Sequence, residues 1–280
     1  MRYRTSLRSP VSQQNFQSAR IGVHLRLKLK IDFLPNLSNP MTKLSVNINR
    51  IALLRNSRNI GIPSVTEAAK TVIAAGAHGI TVHPRPDERH IKASDVYELA
   101  KMLTVEFNIE GNPFQPPFMD IVCDVKPAQC TLVPDAPDVL TSDSGWDIAE
   151  NRDRLLPIIQ KLKDNGIRVS LFMDADAALM PLAKEVGADR VELYTEPYAT
   201  AFREGKVESV FEQYVLAASS AQDAGLGVNA GHDLNLQNLG KFCSIPDILE
   251  VSIGHALIAE ALDMGLSETV RSYLKILSNV

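Results

Sequence analysis

The stretch Val186-Gly187-Ala188-Asp189-Arg190-Val191-Glu192-Leu193 contains the two signals that decide the fold. A helical pattern ends at Gly187, because glycine takes the left-handed backbone of a helix C-terminus without steric cost. A short β-rich run, 190–193, begins three residues later. The same kind of connector occurs as Ala-Gly-Ala (75–77), Asn-Gly-Ile (165–167) and Ala-Gly-Leu (224–226). The chain thus uses one helix-to-strand junction four times.

The alternation extends over most of the chain. The β-rich runs predict strands at 44–48, 79–82, 106–109, 129–133, 168–172, 190–193, 227–229 and 248–253. Helical patterns fall between them, near 64–75, 94–104, 114–125, 150–164, 176–186, 207–224, 235–242 and 255–264, with a last one at 267–278. Ser64, with Glu67 three residues on, predicts an N-cap with a capping box, and Ser94 predicts a second N-cap.

Eight strands, each followed by a helical segment and with no domain break, favour a closed parallel sheet. We therefore predict an α/β fold over residues 41–280, a single (β/α)₈ barrel (TIM-barrel architecture) with additional helices. An open doubly wound sheet is the alternative, but its usual GxGxxG turn after the first strand is missing.

Composition narrows the class of protein. A length of 280 residues suits one barrel of about 250 residues. The net charge of −4 argues against nucleic-acid binding, and no apolar run approaches the ~20 residues that span a membrane. Cys123, Cys130 and Cys243 form no CxxC pair, as expected in a reducing cytoplasm. No compact Cys/His spacing indicates zinc, and no metal site is expected.

Residues 1–40 differ from the rest of the chain. They carry a local charge of +6 against −10 for the remainder, and they lack a sustained periodic apolar face. Met41 directly precedes the first predicted strand. A disordered N-terminal extension, or upstream sequence translated from a misassigned start, is favoured over an organelle-targeting peptide.

Histidines concentrate where a barrel carries its chemistry, at the carboxyl ends of the strands. His83, His232 and His255 directly follow predicted strands, and His90 lies in the loop after the second strand. Only His78 falls in a connector on the opposite face, where a structural role is expected.

Amides and carboxylates also follow the strands. Asn47 and Asn49 end the first strand on one side by period-two alternation, Glu110 ends the third and Glu192 lies on the sixth. Glu110 and His83 are the acid–base candidates, because shielding from water raises a carboxyl pKa and imidazole titrates near neutrality. Each residue taken alone could be a structural hydrogen-bonding group; the set together favours catalysis.

Two regions are predicted to bind anions. Gly231-His232 and Gly254-His255 follow the seventh and eighth strands, where barrels often bind phosphate with backbone N–H groups at a helix N-terminus. The second region is a basic cluster on the loops after the first two strands, formed by Arg50, Arg55, Arg58, Arg85, Arg89 and His90. A solvated loop with surface ion pairs is the alternative for this cluster.

With these residues in view, the chain resembles the pyridoxine 5′-phosphate synthase family of deoxyxylulose-dependent vitamin B6 synthesis. The resemblance runs in order from about residue 43 to the C-terminus. It is carried by VNINRIALLRN (46–56), GITVHPRPDERHI (79–91), FNIE (107–110), KP (126–127), TLVP (131–134), SLFMDAD (170–176), VNAGH (228–232) and IGH (253–255).

The resemblance implies a (β/α)₈ barrel with extra helices that assembles as a homo-octamer. It implies the condensation of 3-amino-2-oxopropyl phosphate with 1-deoxy-D-xylulose 5-phosphate to pyridoxine 5′-phosphate, inorganic phosphate and water. It implies no metal and no organic cofactor.

It also implies roles for individual residues. His83 and Glu110 match the family's proton acceptors, His232 its proton donor and Glu192 its stabiliser of transition-state charge. Contacts to the aminoketone phosphate match Asn47, Arg58, Gly254 and His255. Contacts to the deoxyxylulose phosphate match Arg85, His90 and Thr141.

Three positions depart from the family pattern. Asn49 and Arg50 stand where many members have Asp-His, and Asp233 stands where members often have Gly. Neutral Asn49 is limited to hydrogen bonding, and Arg50 is a possible replacement phosphate contact. A carboxylate at Asp233 would repel a phosphate unless it points away. We still place all three in the substrate-binding set.

Two rival hypotheses remain from the residues alone. One is another phosphosugar barrel enzyme, which would share the phosphate site but need a different acid–base set. The other is a barrel that binds phosphorylated metabolites without turnover.

Overall fold

The computed structural model describes residues 41–58, 60–136 and 142–280. The predicted N-terminal extension, 1–40, lies outside the described residues.

Eight strands form a closed barrel in which each strand lies parallel to its neighbours in chain order and β8 pairs with β1. All eight predicted strands are present, and their ends agree with the prediction to within two residues. They are β1 (Lys43–Asn47), β2 (Gly79–Val82), β3 (Glu106–Gly111), β4 (Gln129–Leu132), β5 (Arg168–Met173), β6 (Arg190–Leu193), β7 (Gly227–Ala230) and β8 (Ile248–Ile253). The predicted (β/α)₈ barrel is confirmed.

Helices surround this barrel, and every strand is followed by at least one. Within the described ranges they are α1 (Asn49–Asn56), α2 (Val65–Ala74), α3 (Ala93–Met102), α4 (Phe118–Val125), α5 (Ile148–Asp164), α6 (Met180–Glu185), α7 (Glu196–Arg203), α8 (Val207–Asp223), α9 (Leu239–Phe242), α10 (His255–Met264) and α11 (Leu266–Leu277). No helix in the part of the chain that is described has the length and apolar character to cross a membrane.

The N-termini of α2 and α3 show whether the two predicted N-caps are present. Ser64 accepts a hydrogen bond from the Glu67 N–H at 3.2 Å, so this predicted N-cap is confirmed. The N-cap predicted at Ser94 is wrong, because α3 begins at Ala93 and its first turn is closed by Asp95, which accepts from the Lys92 N–H at 2.8 Å.

The barrel lumen is polar, whereas the layer between strands and helices is apolar. Hydroxyl and amide side chains link neighbouring strands across the lumen: Ser45 Oγ lies 2.7 Å from Thr81 Oγ1, and Thr131 Oγ1 donates to Asn108 Oδ1 at 3.1 Å. At the opposite end of the barrel from the predicted site, His78 Nδ1 accepts from the Leu44 N–H at 3.1 Å, so His78 has the expected structural role.

Candidate active site

The carboxyl ends of the strands enclose a cavity of about 270 Å³. Twelve of the predicted site residues line it, although they come from six different strands and the segments after them. These are Asn47, Asn49, Arg50, His83, Arg85, His90, Glu110, Glu192, His232, Asp233, Gly254 and His255.

Two predicted residues are not among the cavity lining. Arg58 lies on an exposed turn after α1, so the structure does not bring it to the others. Thr141 lies outside the described residues. Substrate contacts by both remain predictions.

Two asparagines, one at the end of β1 and one at the start of α1, connect this part of the chain to β3 and to the segment after β2. Asn47 Oδ1 accepts from the Asn49 N–H at 3.0 Å, and Asn47 Nδ2 donates to Glu110 Oε2 at 3.4 Å. Asn49 Oδ1 accepts from the His83 N–H at 2.9 Å. Asn47 at the end of β1 thus orients the Glu110 carboxyl, and Asn49 at the start of α1 positions His83.

His83 and His90 are buried side by side, with ring centroids 6.1 Å apart. Burial lowers the pKa of His83 well below its usual range, and the nearby Arg85 lowers it further. Burial, with Arg85 and Arg50, also lowers the pKa of His90 to about 4. Because His90 Nδ1 accepts from the Ile91 N–H at 2.9 Å, its neutral ring carries the proton on Nε2 and can donate from there.

Glu110 shows the opposite shift. Burial raises the pKa of this carboxyl well above its usual range, and the charges of Glu192, Asp135 and Glu250 add to that effect. Burial thus favours the acid form of Glu110, whereas it favours the neutral ring of His83.

Glu192 lies deeper in the cavity on β6. Burial, followed by the charge of Glu250, raises its pKa to about 8, and its Oε2 has no hydrogen-bond partner among the described residues. Gly231 lets the carboxyl sit there: a Cβ at this position would lie 2.8 Å from Glu192 Oε1 and 2.9 Å from the Ser252 carbonyl oxygen. A buried carboxyl with one oxygen left without a hydrogen-bond partner is suited to meet positive charge that develops on a substrate.

His232 follows β7 and lies between two aromatic rings. Its ring centroid is 5.1 Å from that of Phe172 and 5.4 Å from that of Tyr194. The Thr195 hydroxyl donates to the His232 carbonyl oxygen at 2.5 Å and holds the backbone. Burial lowers the pKa of His232 to about 4.

The predicted phosphate site after β8 has the geometry that such a site needs. Gly254 is the N-cap of α10, a ten-residue helix whose first turn begins at His255. A Cβ at Gly254 would lie 3.2 Å from the Asn47 side chain, so glycine keeps the helix N-terminus close to the end of β1. Backbone N–H groups of the first turn and the positive end of the helix dipole favour an anion here.

Only part of the predicted basic cluster lies at the cavity. Arg55 is engaged elsewhere, since its Nη2 donates to Asp95 Oδ2 at 2.8 Å and to the His90 carbonyl oxygen at 3.1 Å. Arg89 pairs with Asp87 at 2.7 Å. Both arginines are thus engaged in ion pairs, but the Arg55–Asp95 pair is largely buried and is not the surface pair of the alternative.

Of the remaining three arginines of the cluster, Arg50 and Arg85 line the cavity and Arg58 does not. Arg85 forms a buried ion pair with Asp135, which also accepts from the Ser142 hydroxyl at 2.7 Å. Arg50 lies on the first turn of α1, in no ion pair or hydrogen bond with the described residues, and its guanidinium is available to an anion.

Four further residues line the cavity and were not predicted. They are Ser142, Tyr194, Glu196 and Ser252. Tyr194 directly follows β6, so the strand-end rule that selected the histidines would have selected it too. Glu196 begins α7 and precedes Pro197, a residue typical of the first helical turn.

Within the described ranges no group of three or more His, Cys, Asp or Glu is placed to hold a metal ion, and the absence of a metal stays a prediction.

Comparisons with known proteins agree on one family. The family model described as "Pyridoxal phosphate biosynthesis protein PdxJ" matches residues 44–279. The chain is 55% identical over 238 residues to a protein of Christiangramia forsetii named pyridoxine 5′-phosphate synthase, covering 85% of this chain and all of that protein. It is 53% identical over 247 residues to one of the same name from Xanthomonas campestris pv. campestris, covering 85% and 96%.

Similar solved structures share the fold only. Thiamine phosphate pyrophosphorylase from Pyrococcus furiosus has a TM-score of 0.56 at 14% identity, covering 87% of this chain and 98% of that one. Phosphoribosylanthranilate isomerase from Thermotoga maritima has a TM-score of 0.54 at 13% identity, covering 86% and all of that chain. The match to the family model and the identity to curated relatives over nearly their whole length are decisive: this chain belongs to the PdxJ family of pyridoxal phosphate biosynthesis proteins and is an enzyme of the pyridoxine 5′-phosphate synthase kind.

Proposed function

We propose that the enzyme condenses 3-amino-2-oxopropyl phosphate with 1-deoxy-D-xylulose 5-phosphate, releasing pyridoxine 5′-phosphate, inorganic phosphate and water. One observation carries this proposal. A single cavity contains two buried carboxyl groups, Glu110 and Glu192, and three buried or half-buried imidazoles between two separate regions suited to phosphate.

The two anion regions support two phosphorylated substrates. The N-terminus of α10 at Gly254 and His255, beside Asn47, is assigned to the aminoketone phosphate. Arg85 and His90, with Arg50 as a further cation, are assigned to the deoxyxylulose phosphate. Arg58 and Thr141 are assigned to the same two phosphates on the family resemblance alone.

The acid–base set suits a ring closure that needs a Schiff base, a new carbon–carbon bond and dehydrations, since each requires proton transfer. His83 and Glu110 act as proton acceptors, His232 as proton donor, and Glu192 stabilises developing positive charge. Burial favours the neutral ring of His83, as a proton acceptor requires.

The charges of the bound substrates change the protonation states of Glu110 and His232. A bound amine next to Glu110 favours the ionised carboxylate, which then accepts a proton. Bound phosphate in the same cavity favours the imidazolium of His232, which then donates one. Each substrate thus brings its neighbouring group into the state that the reaction needs.

The test is an assay of the purified protein with both substrates together, and product analysis by chromatography. Pyridoxine 5′-phosphate and inorganic phosphate formed in equal amounts, only when both substrates are present, would support the proposal. Folded protein that binds both substrates without forming product would identify a binding barrel. Turnover of either substrate alone would identify another phosphosugar enzyme.

We also propose a homo-octamer, on the family resemblance. Apolar side chains exposed on neighbouring α1 and α10 support an interface between copies: Leu54 is 54% exposed and Leu262 80%. Light scattering of the purified protein measures the mass of the assembly.

A cytoplasmic location agrees with three cysteines that form no disulfide.

A further inference from the structure

Arg85 reaches the cavity as one half of a buried ion pair. Its Nη2 contacts Asp135 Oδ2, and the exposed fractions of the two side chains are only 5% and 4%. An arginine side chain is long and has many rotamers, but its guanidinium is a rigid plane. A partner that holds one nitrogen of this plane therefore also sets the direction of the other nitrogens. The orientation in which Arg85 meets a ligand depends on where Asp135 lies.

Asp135 is itself held at both its backbone and its carboxylate. Its carbonyl oxygen accepts from Asn112 Nδ2 at 3.0 Å and from Gln115 Nε2 at 2.8 Å, both in the segment after β3. Its Oδ2 accepts from the Ser142 hydroxyl at 2.7 Å as well as from Arg85. Donors from the segments after β2, β3 and β4 thus fix this carboxylate relative to the barrel.

The place of Asp135 behind the cavity wall indicates what the pair does. Arg85 and Ser142 line the cavity, whereas Asp135 is not among the lining residues. Burial raises the pKa of Asp135 and lowers that of Arg85, so each charge is costly to bury without the other. Because the desolvation of two ions offsets much of their attraction, such a pair is weak evidence for added stability. A function in ligand binding explains the pair better.

We propose that Asp135 is a positioning residue for 1-deoxy-D-xylulose 5-phosphate: it holds the Arg85 guanidinium in the orientation that binds the phosphate of this substrate. The inference rests on the proposed assignment of Arg85 to that phosphate. Charge alone gives the opposite expectation, because a carboxylate next to Arg85 weakens the attraction of this arginine for an anion. Positioning and charge therefore predict changes of opposite sign in substrate affinity when Asp135 is replaced.

Three variants separate these effects. Asp135→Ala removes the carboxylate that Arg85 and Ser142 contact, whereas Asp135→Asn keeps an acceptor oxygen for both but loses the charge. Glu106→Gln is the matched control, because Glu106 forms a partly buried ion pair with Arg168 at the opposite end of the barrel. Arg85→Met supplies a background in which a residue that acts through Arg85 has lost its partner.

Steady-state kinetics with both substrates give the first readout. In Asp135→Ala the KM for 1-deoxy-D-xylulose 5-phosphate should rise about tenfold, less than the ~10²-fold loss that a misplacement of about 1 Å can cause. The KM for 3-amino-2-oxopropyl phosphate should change little. Asp135→Asn should show the same selective rise but a smaller one, and it carries the comparison if the alanine variant does not fold. Glu106→Gln should keep both KM values, and Asp135→Asn should have no further effect on KM in the Arg85→Met background.

Calorimetric binding of 1-deoxy-D-xylulose 5-phosphate gives a second readout that needs no turnover, and the dissociation constant should rise as KM does. An unchanged or lower KM for this substrate in the Asp135 variants would overturn the proposal, and so would equal rises in both KM values, which indicate a purely structural contact. A wild type that forms no pyridoxine 5′-phosphate would refute the proposed function instead. The binding of 1-deoxy-D-xylulose 5-phosphate to the wild type and the variants would then still decide the role of Asp135, and a wild type that does not bind it would overturn that role as well.

Discussion

Asn49 and His83 join the ends of β1 and β2, because Asn49 Oδ1 accepts the His83 N–H at 2.9 Å. The residue that departs from the family pattern thus retains a structural function that needs only an acceptor oxygen. Asparagine and aspartate can both supply it.

Asn49→Ala should therefore leave the His83 N–H without its partner and loosen the loop after β2. We expect kcat/KM to fall about tenfold and the free energy of unfolding to drop by about 1 kcal/mol, the usual value of one hydrogen bond. Asn49→Asp keeps the acceptor and is the matched control. Equal losses of stability in the two variants, measured by urea unfolding, would show that this hydrogen bond is unimportant.

Glu110→Gln should remove a proton acceptor while keeping the side-chain shape and an acceptor for Asn47 Nδ2. Loss of an acid–base group typically costs about 10²- to 10⁴-fold in rate, so we expect kcat to fall in that range. Binding of both substrates, measured by calorimetry, should persist. Glu98→Gln, at an exposed position on α3, is the control and should keep full activity.

The strands and the catalytic face could be read from the sequence because each depends on a local signal. Glycine at the end of a helix and a short β-rich run after it locate the strand, and the strand end then locates residues such as His83 and Glu110. The chemistry follows from position in the barrel, since every strand of a parallel barrel points its carboxyl end to one face.

Helices α1 and α7 could not be predicted from such local signals. In α1 only Ala52 is buried, so the helix has almost no apolar face to reveal it. Helix α7 directly follows the short strand β6, and its Pro197 was the one available signal. The pairing of Arg55 with Asp95 and of Arg85 with Asp135 joins residues 40 and 50 positions apart, and only the folded chain shows it.

Gly231→Ala should displace the Glu192 carboxyl, because the new methyl group would lie 2.8 Å from its Oε1 and 2.9 Å from a backbone oxygen. We expect a large loss of kcat in protein that still folds, as judged by circular dichroism. Gly240→Ala is the control: its methyl group would lie at an ordinary 3.5 Å from Ile276 Cγ2. Full activity of Gly231→Ala would show that Glu192 has room to move without consequence.

The buried carboxyl of Glu192 should make stability depend on pH. Its folded-state pKa, about 8, lies above the ordinary value of 4.5, so the folded protein holds this proton where the unfolded chain has lost it. The stabilisation is full below pH 4.5 and is lost as pH rises through about 8, since folding then requires an unpaired buried charge.

Glu192→Gln cannot ionise and should lack this loss. The free energy of unfolding, from urea titrations at about pH 5 and about pH 8.5, should fall more steeply in the wild type than in Glu192→Gln. Other buried carboxyls with raised pKa, Glu110, Asp135 and Glu250, are present in both proteins, so the difference between the two reports Glu192 together with its charge repulsion of Glu110 and Glu250. A wild type that gains stability over the variant as pH rises would mean that the carboxylate has a cationic partner in the fold, and Glu192 would then be unavailable to stabilise charge on a substrate.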